Sequence, residues 1–246
     1  MDIRALPPMD RRPRVHGCSR QAEIRATPQG IDLIDLAARV LRSQRLKRLM
    51  DITVAALALV VGIPLFLVVA LVVRRSSPGG LFYVQRRLGR GHKPFGCIKF
   101  RTMVHGADRQ LRKTLKTSAR LQEDFRRGFK LKNDPRITSV GHMLRRTSLD
   151  ELPQFLNILR GEMSLVGPRP IVRAEVERYG DAIDRVLSVR PGLTGLWQVS
   201  GRNNLTYAQR VALDLHYVSR RSLVLDLVIL WRTLGVVLSP RDNGAY

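Results

Sequence analysis

The sequence predicts an α+β fold that is mostly helical. We expect a re-entrant membrane helix hairpin, then a small β-hairpin, then a helical domain at the cytoplasmic face with amphipathic helices lying on the membrane surface. Three observations support this prediction: residues 52–73 carry no charge, two short strand patterns follow, and helical patterns alternate with turn signals in the remaining chain. The chain therefore divides into a basic tail at 1–44, a membrane-inserted segment at 45–75 and a domain at 76–246.

The uncharged stretch from Ile52 to Val73 contains 22 residues. At about 1.5 Å per residue, a straight helix of that length covers roughly 33 Å, which is enough for a bilayer core. Pro64 removes a backbone donor in the middle of the stretch, so we expect a kink there. Basic residues flank both sides, and positive flanks favour the cytoplasmic side. We therefore favour a re-entrant helix kinked at Pro64 over a kinked spanning helix.

The rest of the chain has short elements. The tail at 1–44 is either a disordered basic leader or includes a surface-lying amphipathic helix at 31–41. Strand patterns at 81–85 and 95–100 flank a loop with glycine and proline, which is typical of a β-hairpin. Helices are predicted at 107–129, 141–146, 153–159, 171–179, 207–217 and 223–238, with a loop running from 191 to 204.

The chain is strongly basic, with 43 Lys and Arg against 20 Asp and Glu, for a formal charge of +23. Such a charge predicts an anionic partner: nucleic acid, anionic lipid or a phosphorylated substrate. An arginine-rich composition without functional meaning is the alternative. The bases are spread along the chain and only 6% of residues are aromatic, which argues against nucleic acid. The two cysteines, Cys18 and Cys97, indicate a reducing compartment because they cannot form a disulfide framework.

Two adjacent carboxylates, Asp150 and Glu151, are the strongest chemical signal. One interpretation is a capping box, with Ser148 as the N-cap and Glu151 three residues later. Proline disfavours that register, because Pro153 would then lie inside the helix. A helix that starts near Leu152 or Pro153 is the other interpretation. Either way the pair lies near a helix N-terminus, which attracts phosphate groups.

Basic residues in rigid settings accompany the acidic pair. Lys99 and Arg101 end the second predicted strand, and Arg136 and Arg169 each follow a proline. Proline restricts the backbone and thereby positions the guanidinium group, whose planar fork suits phosphate oxygens. Together with the apolar segment, these residues suggest chemistry on phosphate at a membrane.

Long stretches of the sequence carry a family resemblance. They read LKRLMDITVAALALVVGIPLFLVVALVV, FYVQRRLGRGHKPFGCIKFRTM, NDPRITSVGHMLRRTSLDELPQFLNILRGEMSLVGPRP and RPGLTGLWQVSGRNNLTYAQRVALDLHYV. From Arg45 onward the chain resembles the bacterial sugar transferase family, the monotopic polyprenyl-phosphate phosphoglycosyltransferases. The ending GAY and the segment LQEDFRRGFKLKNDPR are most similar to rhizobial exopolysaccharide galactosyl-phosphate transferases. One departure is Ile63, because many members have serine before the proline of the membrane helix.

The resemblance implies a mechanism. Asp150 would attack the sugar-bearing phosphate of a UDP-sugar, release UMP and form a covalent phosphosugar–aspartate, which undecaprenyl phosphate then attacks. Mg²⁺ is the implied cofactor, with Glu151 and Asp150 as its ligands. Three bases fall on family motif positions and are the implied phosphate-binding residues: Arg101, Arg136 and Arg169. Lys99 is a further, lesser candidate for substrate binding.

The resemblance also implies partners and a location. The partners are a UDP-sugar, undecaprenyl phosphate and inner-membrane lipids, with the active site on the cytoplasmic face of the bacterial inner membrane. The product would initiate exopolysaccharide or another surface glycan. Galactose is the first expectation for the sugar, glucose the second and an N-acetylated sugar the third; a homodimer stays open. Outside the enzyme class, the alternatives are a membrane-tethered assembly factor, in which the acidic pair only caps a helix, and a nucleic-acid-binding protein.

Overall fold

A computed structural model describes residues 44–117, 121–123, 125, 131 and 134–238. The predicted tail therefore lies outside the described residues except for Gln44, and so do Cys18 and the last eight residues. The described helices are α1 (Gln44–Ser76), α2 (Ala107–Thr117), α3 (Ser139–Thr147), α4 (Gln154–Arg160), α5 (Val176–Tyr179), α6 (Ile183–Val186), α7 (Leu196–Val199), α8 (Tyr207–Arg220) and α9 (Leu223–Leu238). The strands are β1 (Phe82–Leu88), β2 (Pro94–Phe100), β3 (Ser164–Val166) and β4 (Gly192–Thr194). Short 3-10 turns occupy Arg90–His92, Leu149–Glu151, Arg173–Glu175, Gly180–Ala182 and Arg202–Asn204.

Helix α1 is a continuous helix of 33 residues, so its length is roughly 50 Å if straight. Within the described ranges it is the one helix that is long and apolar enough to cross a membrane. Pro64 lies inside the helix and does not end it. The kink at Pro64 and the re-entrant path stay predictions.

Both ends of α1 pack against the domain that follows. Near its start, Ala55 is fully buried in a core cluster with Phe95 and Ile158. Near its end, Val69 and Val73 pack against Phe100 and other buried side chains of a second cluster. Many of the apolar side chains between these points are exposed, as at Val60 (66%), Val61 (70%) and Leu67 (65%).

The predicted β-hairpin is confirmed. Strands β1 and β2 are antiparallel, from the pair Phe82 and Phe100 to the pair Leu88 and Pro94. The first strand is longer than predicted, because it continues to Leu88. Side chains of this hairpin reach both core clusters, since Phe95 and Cys97 join the first and Phe100 joins the second.

A second sheet was not predicted. Strands β3 and β4 are parallel, with Ser164 opposite Gly192, in a region where the sequence indicates a loop from 191 to 204. Glycine is required at this pairing, because a Cβ on Gly192 would lie 2.1 Å from the backbone nitrogen of Gly167. The prediction of an uninterrupted loop is therefore wrong, and β4 is followed by the short helix α7.

Most predicted helices are confirmed within a few residues. The exception is the helix predicted at 171–179, since Ile171 instead bridges to Leu88 and only Val176–Tyr179 is α-helical. The helix predicted at 107–129 is confirmed for Ala107–Thr117, and much of its second half lies outside the described residues. Helix α9 buries Ile229 and leaves Trp231 76% exposed, so it has both a core face and an apolar outer face.

Candidate active site

The acidic pair lies in a tight turn between two helices. Helix α3 ends at Thr147, Ser148 adopts a left-handed conformation (φ 59°), and a 3-10 turn carries Leu149, Asp150 and Glu151. Leu149 and Leu152 pack against the cluster that contains the end of α1. These apolar side chains anchor the turn, so the acidic pair is held beside the last turns of the membrane helix.

The capping-box interpretation is wrong. The Ser148 side chain makes no capping hydrogen bond, and the Glu151 carboxylate is paired with Lys99 of β2. Helix α4 begins at Gln154, directly after Pro153. The other interpretation, a helix that starts behind the pair, is therefore confirmed.

Asp150 is buried, with 7% of its surface exposed. Burial and the charge of Glu151 raise the pKa of its carboxyl to about 6, against the opposing charges of Lys99 and Arg145. Among the described residues, none forms an ion pair with this carboxylate. Asp150 is therefore a more basic carboxylate than usual, yet still mainly ionised at neutral pH.

Glu151 has the opposite tendency. Burial alone would raise its pKa, but the ammonium of Lys99 and the guanidinium groups of Arg169 and Arg87 outweigh burial and place the pKa below its ordinary value. About a third (32%) of its side chain is exposed. Two adjacent carboxyl groups whose pKa values are shifted in opposite directions are typical of sites where the two have different chemical roles.

A small cleft of about 40 Å³ opens beside Glu151. Six polar side chains line it. They come from β1, β2, the turn before α4, the first residue of α4, the segment that follows β3, and helix α7, in this order: Arg87, Lys99, Glu151, Gln154, Arg169 and Gln198. Three cations therefore lie around one carboxylate. The three positive charges exceed the single negative charge of Glu151, so the cleft favours an anionic ligand group such as phosphate.

Two of the four predicted substrate-binding bases line this cleft, namely Lys99 and Arg169. Arg101 instead donates hydrogen bonds to the carbonyl oxygens of Ser77 (2.5 Å) and Pro78 (2.9 Å), just after α1. Arg136 is buried and binds the carboxylate of Asp134 at 2.5 to 3.1 Å. These two guanidinium groups have protein partners away from the cleft, so a substrate role for them stays a prediction.

Two residues that line the cleft, Arg87 and Gln154, were not predicted from the sequence. Arg87 is 8% exposed and donates to the carbonyl oxygen of Pro170 (2.8 Å), which fixes the segment that carries Arg169. Gln154 is 3% exposed and lines the cleft one helical turn after the acidic pair. Its position next to Pro153 in the same short motif is a signal that could have identified it. Arg87 lies in an ordinary strand pattern, so nothing in the sequence distinguishes it from a surface arginine.

An aromatic support lies behind the cleft. Arg169 and Arg210 both lie over the ring of Trp197, at 5.9 and 4.9 Å from its centroid. Such cation–π contacts are worth about 0.5–2 kcal/mol each, depending on desolvation. Trp197 therefore orients Arg169 toward the cleft rather than serving as an exposed stacking platform, since it is itself buried.

The oxygen atoms present fit Mg²⁺ only in part. Within the described residues there is no group of three or more His, Cys, Asp or Glu side chains that could hold a metal ion alone. Asp150, Glu151 and the carboxamide of Gln154 offer oxygen donors, and Mg²⁺ commonly binds through one or two carboxylates together with substrate phosphates. The donor set therefore fits a magnesium ion that arrives with, or is completed by, a phosphorylated substrate.

The fold and the cleft together define a mostly helical α+β protein with a long apolar helix and a basic cleft that holds Glu151, next to the buried Asp150. The chain matches the family model described as bacterial sugar transferase over residues 42–240. Because this match covers most of the chain, the protein belongs to that family. The length and composition of α1 suggest membrane association.

Curated relatives agree with the family. The chain is 51% identical to the exopolysaccharide production protein ExoY of Sinorhizobium fredii over 197 residues, which are 80% of this chain and 87% of that protein. It is 48% identical to an undecaprenyl-phosphate galactose phosphotransferase of Salmonella typhimurium, covering 83% of this chain but 43% of that protein. It is 40% identical to a UDP-glucose:undecaprenyl-phosphate glucose-1-phosphate transferase of Caulobacter vibrioides, covering 80% and 71%. The protein is thus an enzyme of the phosphoglycosyltransferase class.

Proposed function

We propose that the protein transfers a sugar 1-phosphate, with galactose as the first expectation, from a UDP-sugar to undecaprenyl phosphate and releases UMP. The observation that carries this proposal is the Asp150 carboxylate, which is buried, raised in pKa and without an ion-pair partner among the described residues. Its neighbour in the chain, Glu151, lines a cleft together with three cations. Galactose is favoured over glucose because the galactose-named Salmonella relative is more similar than the glucose-named one of Caulobacter. The step would begin the assembly of an exopolysaccharide.

The first half-reaction forms a covalent intermediate. An Asp150 oxygen attacks the sugar-bearing phosphorus, a new oxygen–phosphorus bond forms, and the bond to the UMP oxygen breaks, so UMP leaves with the electron pair. Lys99 and Arg169 stabilise the negative charge on the phosphoryl oxygens. Glu151 stays ionised because Lys99 is its partner, and thereby keeps the Lys99 ammonium at the cleft.

The second half-reaction restores the enzyme. A phosphate oxygen of undecaprenyl phosphate attacks the same phosphorus, and the bond to Asp150 breaks to return a free carboxylate. When bound by Asp150 and Glu151, Mg²⁺ would supply positive charge against the phosphate oxygens. Because Asp150 is buried, water has little access to it, and this limits hydrolysis of the intermediate.

The structure supports placing this site at a membrane surface by a re-entrant helix. The start and the end of α1 contact the same domain, while many of the apolar side chains between them are exposed. If that domain lies wholly on one side of a bilayer, both ends of α1 lie on that same side, as a re-entrant helix requires. The exposed apolar face of α9, including Trp231, would lie on the same membrane surface.

Cysteine accessibility tests the membrane path. Single cysteines at Arg45 and Ser77, in a chain lacking its own two cysteines, should both resist a membrane-impermeant reagent added outside intact cells. Both should react once the membrane is permeabilised. Labelling of either position from outside would show that α1 spans the bilayer and contradict the re-entrant path.

The covalent route is tested with a radiolabelled UDP-sugar. In the absence of undecaprenyl phosphate, rapid quenching should leave the sugar-phosphate label on the protein, and adding the lipid should remove it. Asp150→Asn should take up no label, while its thermal unfolding stays close to that of the wild type. Steady UMP release without any trapped label would favour direct transfer, and a panel of UDP-galactose, UDP-glucose and N-acetylated UDP-sugars identifies the sugar.

The assembly-factor alternative has lost its structural basis. It requires the acidic pair to serve as a helix cap, and Ser148 and Glu151 do not form that cap. No observation in the described residues favours nucleic-acid binding over phosphate chemistry.

A further inference from the structure

A second cavity lies at the start of the membrane helix. Its volume is about 120 Å³, three times that of the cleft beside Glu151, and it shares no lining residue with that cleft. It lies between the first turns of α1, the loop before β4 and the start of α9. The proposed transfer reaction makes no use of it.

The floor of this cavity is a pair of buried carboxylates bridged by one lysine. Asp51 and Asp226 are almost fully buried, and the Lys47 ammonium bridges them at 3.0 and 3.1 Å. The Ser164 hydroxyl also donates to Asp51 (3.1 Å), and the Tyr217 hydroxyl donates to Asp226 (2.8 Å). Both carboxylates therefore already accept hydrogen bonds from these three side chains, none of which is an arginine at the rim.

Three arginines form that rim: Arg90, Arg190 and Arg221. None of them forms an ion pair with a carboxylate in the part of the chain that the structure describes. Arg190 is oriented by one hydrogen bond from its Nε to the carbonyl oxygen of Gly161 (2.8 Å). Burial and the nearby charges of Arg48 and Arg90 lower the pKa of Arg190, and they outweigh the opposing charge of the Asp51 carboxylate.

The rim lies where the polar surface gives way to apolar surface. On α1, Leu49 follows Lys47 and is 59% exposed; on α9, Val224 and Leu227 follow Arg221 and are 53% and 57% exposed. If those side chains enter the membrane, the rim arginines lie at the depth of the lipid phosphates. A soluble anion could use only the arginines, whereas a lipid could use both surfaces.

We propose that the rim of this cavity binds the phosphate head group of an anionic phospholipid. The guanidinium groups of Arg90, Arg190 and Arg221 bind the phosphate oxygens, and the acyl chains lie against the exposed apolar side chains of α1 and α9. The lipid would hold the start of α1 at a fixed depth in the bilayer. This proposal rests on the proposed membrane attachment, and it is independent of Asp150.

The test uses the full chain purified in a neutral detergent. Dioctanoyl phosphatidylglycerol is titrated while the melting temperature and the Kd are measured, with dioctanoyl phosphatidylcholine and glycerol 3-phosphate as the other ligands. The cavity variant is Arg90→Gln with Arg221→Gln, which spares the structural hydrogen bond of Arg190. The matched control is Arg86→Gln with Arg173→Gln, which removes two exposed arginines outside the cavity.

We expect phosphatidylglycerol to bind and stabilise the wild type and the control, and the cavity variant to weaken binding by about tenfold or more. Equal losses in the control variant, or equal binding of phosphatidylcholine, would show non-specific attraction and overturn the proposal. Equally tight binding of glycerol 3-phosphate would make this a site for soluble phosphates. UMP release keeps the two proposals apart: the cavity variant should retain it, and Asp150→Asn should lose it while still binding phosphatidylglycerol.

Discussion

Two lysine–carboxylate clusters lie at opposite ends of the membrane helix, and they differ in how completely their acids are satisfied. At the start of α1, Lys47 bridges Asp51 and Asp226, and hydroxyl and amide groups donate further hydrogen bonds to them. At the end of α1, Lys99 pairs with Glu151, while its neighbour Asp150 lacks an ion pair within the described ranges. The same residue types therefore build one structural cluster and one reactive cluster.

The difference teaches how to distinguish a reactive carboxylate from a structural one. Both Asp51 and Asp150 are buried, so burial alone does not separate them. Hydrogen-bond donors do, because a carboxylate that is fully bonded has no lone pair to offer a phosphorus atom. The predictions below test this distinction, from the largest expected effect to the smallest.

The aspartate-to-asparagine pair gives the largest contrast. Asp150→Asn should lower UMP release by about a thousandfold or more, because the nucleophile is lost, and should leave the melting temperature nearly unchanged. Asp51→Asn should keep UMP release but lower the free energy of unfolding by about 2–3 kcal/mol. The reason is that the side-chain NH₂ group would face the hydrogen-bond donors that now bind the Asp51 carboxylate. Enzyme assays and thermal unfolding of both variants measure these effects. An equal loss of activity per folded molecule in the two variants would contradict the assignment of Asp150 as reactive and Asp51 as structural.

The two lysines provide the next contrast. Lys47→Met leaves two buried carboxylates without their cation and should destabilise the fold by about 3–5 kcal/mol. Lys99→Met leaves a partly exposed carboxylate, so its cost in stability should stay below about 1 kcal/mol, yet it should lower kcat roughly 100-fold because a phosphate-stabilising charge is lost. Denaturant unfolding and steady-state kinetics measure both effects. Equal destabilisation by the two variants is the contrary result.

Gln154 tests whether the cleft extends beyond the charged residues. Gln154→Leu removes a polar group that faces the cleft, and we expect kcat/KM to fall by about tenfold, as for the loss of one or two substrate hydrogen bonds. Gln110→Leu on α2 is the matched control and should have wild-type kinetics. An unchanged kcat/KM in the first variant would exclude Gln154 from substrate contact.

Asp214 is an intermediate case and gives the smallest effect. It accepts a hydrogen bond from the Tyr179 hydroxyl (3.2 Å), and burial raises the pKa of its carboxyl to about 7. Between about pH 4 and pH 7 the folded state keeps a proton that the unfolded state has released, so stability from this group falls as the pH rises. The wild type should therefore lose stability relative to Asp214→Asn as the pH rises. The difference in melting temperature, variant minus wild type, should grow by a few degrees across this range. A constant difference would show that Asp214 does not titrate there.

Local signals predicted the hairpin and the long helices well. Strands β1 and β2 are joined by a short loop, and α1 and α9 are long apolar stretches, so each is decided largely by residues close in sequence. The pair β3 and β4 was missed because each strand has three residues and the partners are far apart in the chain. Helix propensity around Ile171 likewise failed, because pairing with Leu88 replaced the helix.

The candidate site was predicted at its centre and less well around it. Asp150 and Glu151 are adjacent in the chain, and Lys99 and Arg169 lie in recognisable motifs. Arg101 and Arg136 belong to equally convincing motifs, but their partners, the carbonyl oxygens after α1 and the carboxylate of Asp134, are visible only in the folded chain. Arg87 enters the cleft only because β1 pairs with β2 and approaches Pro170.

The sequence by itself determined the apolar helix, the β-hairpin, the acidic pair and the family, because these depend on neighbouring residues or on long shared motifs. Only the tertiary structure decided which buried carboxylate lacks an ion pair among the described residues and which arginines lie around its neighbour Glu151. The reason is physical: the reactivity of a carboxyl group depends on burial and on donors within a few ångströms, and those donors come from distant parts of the chain.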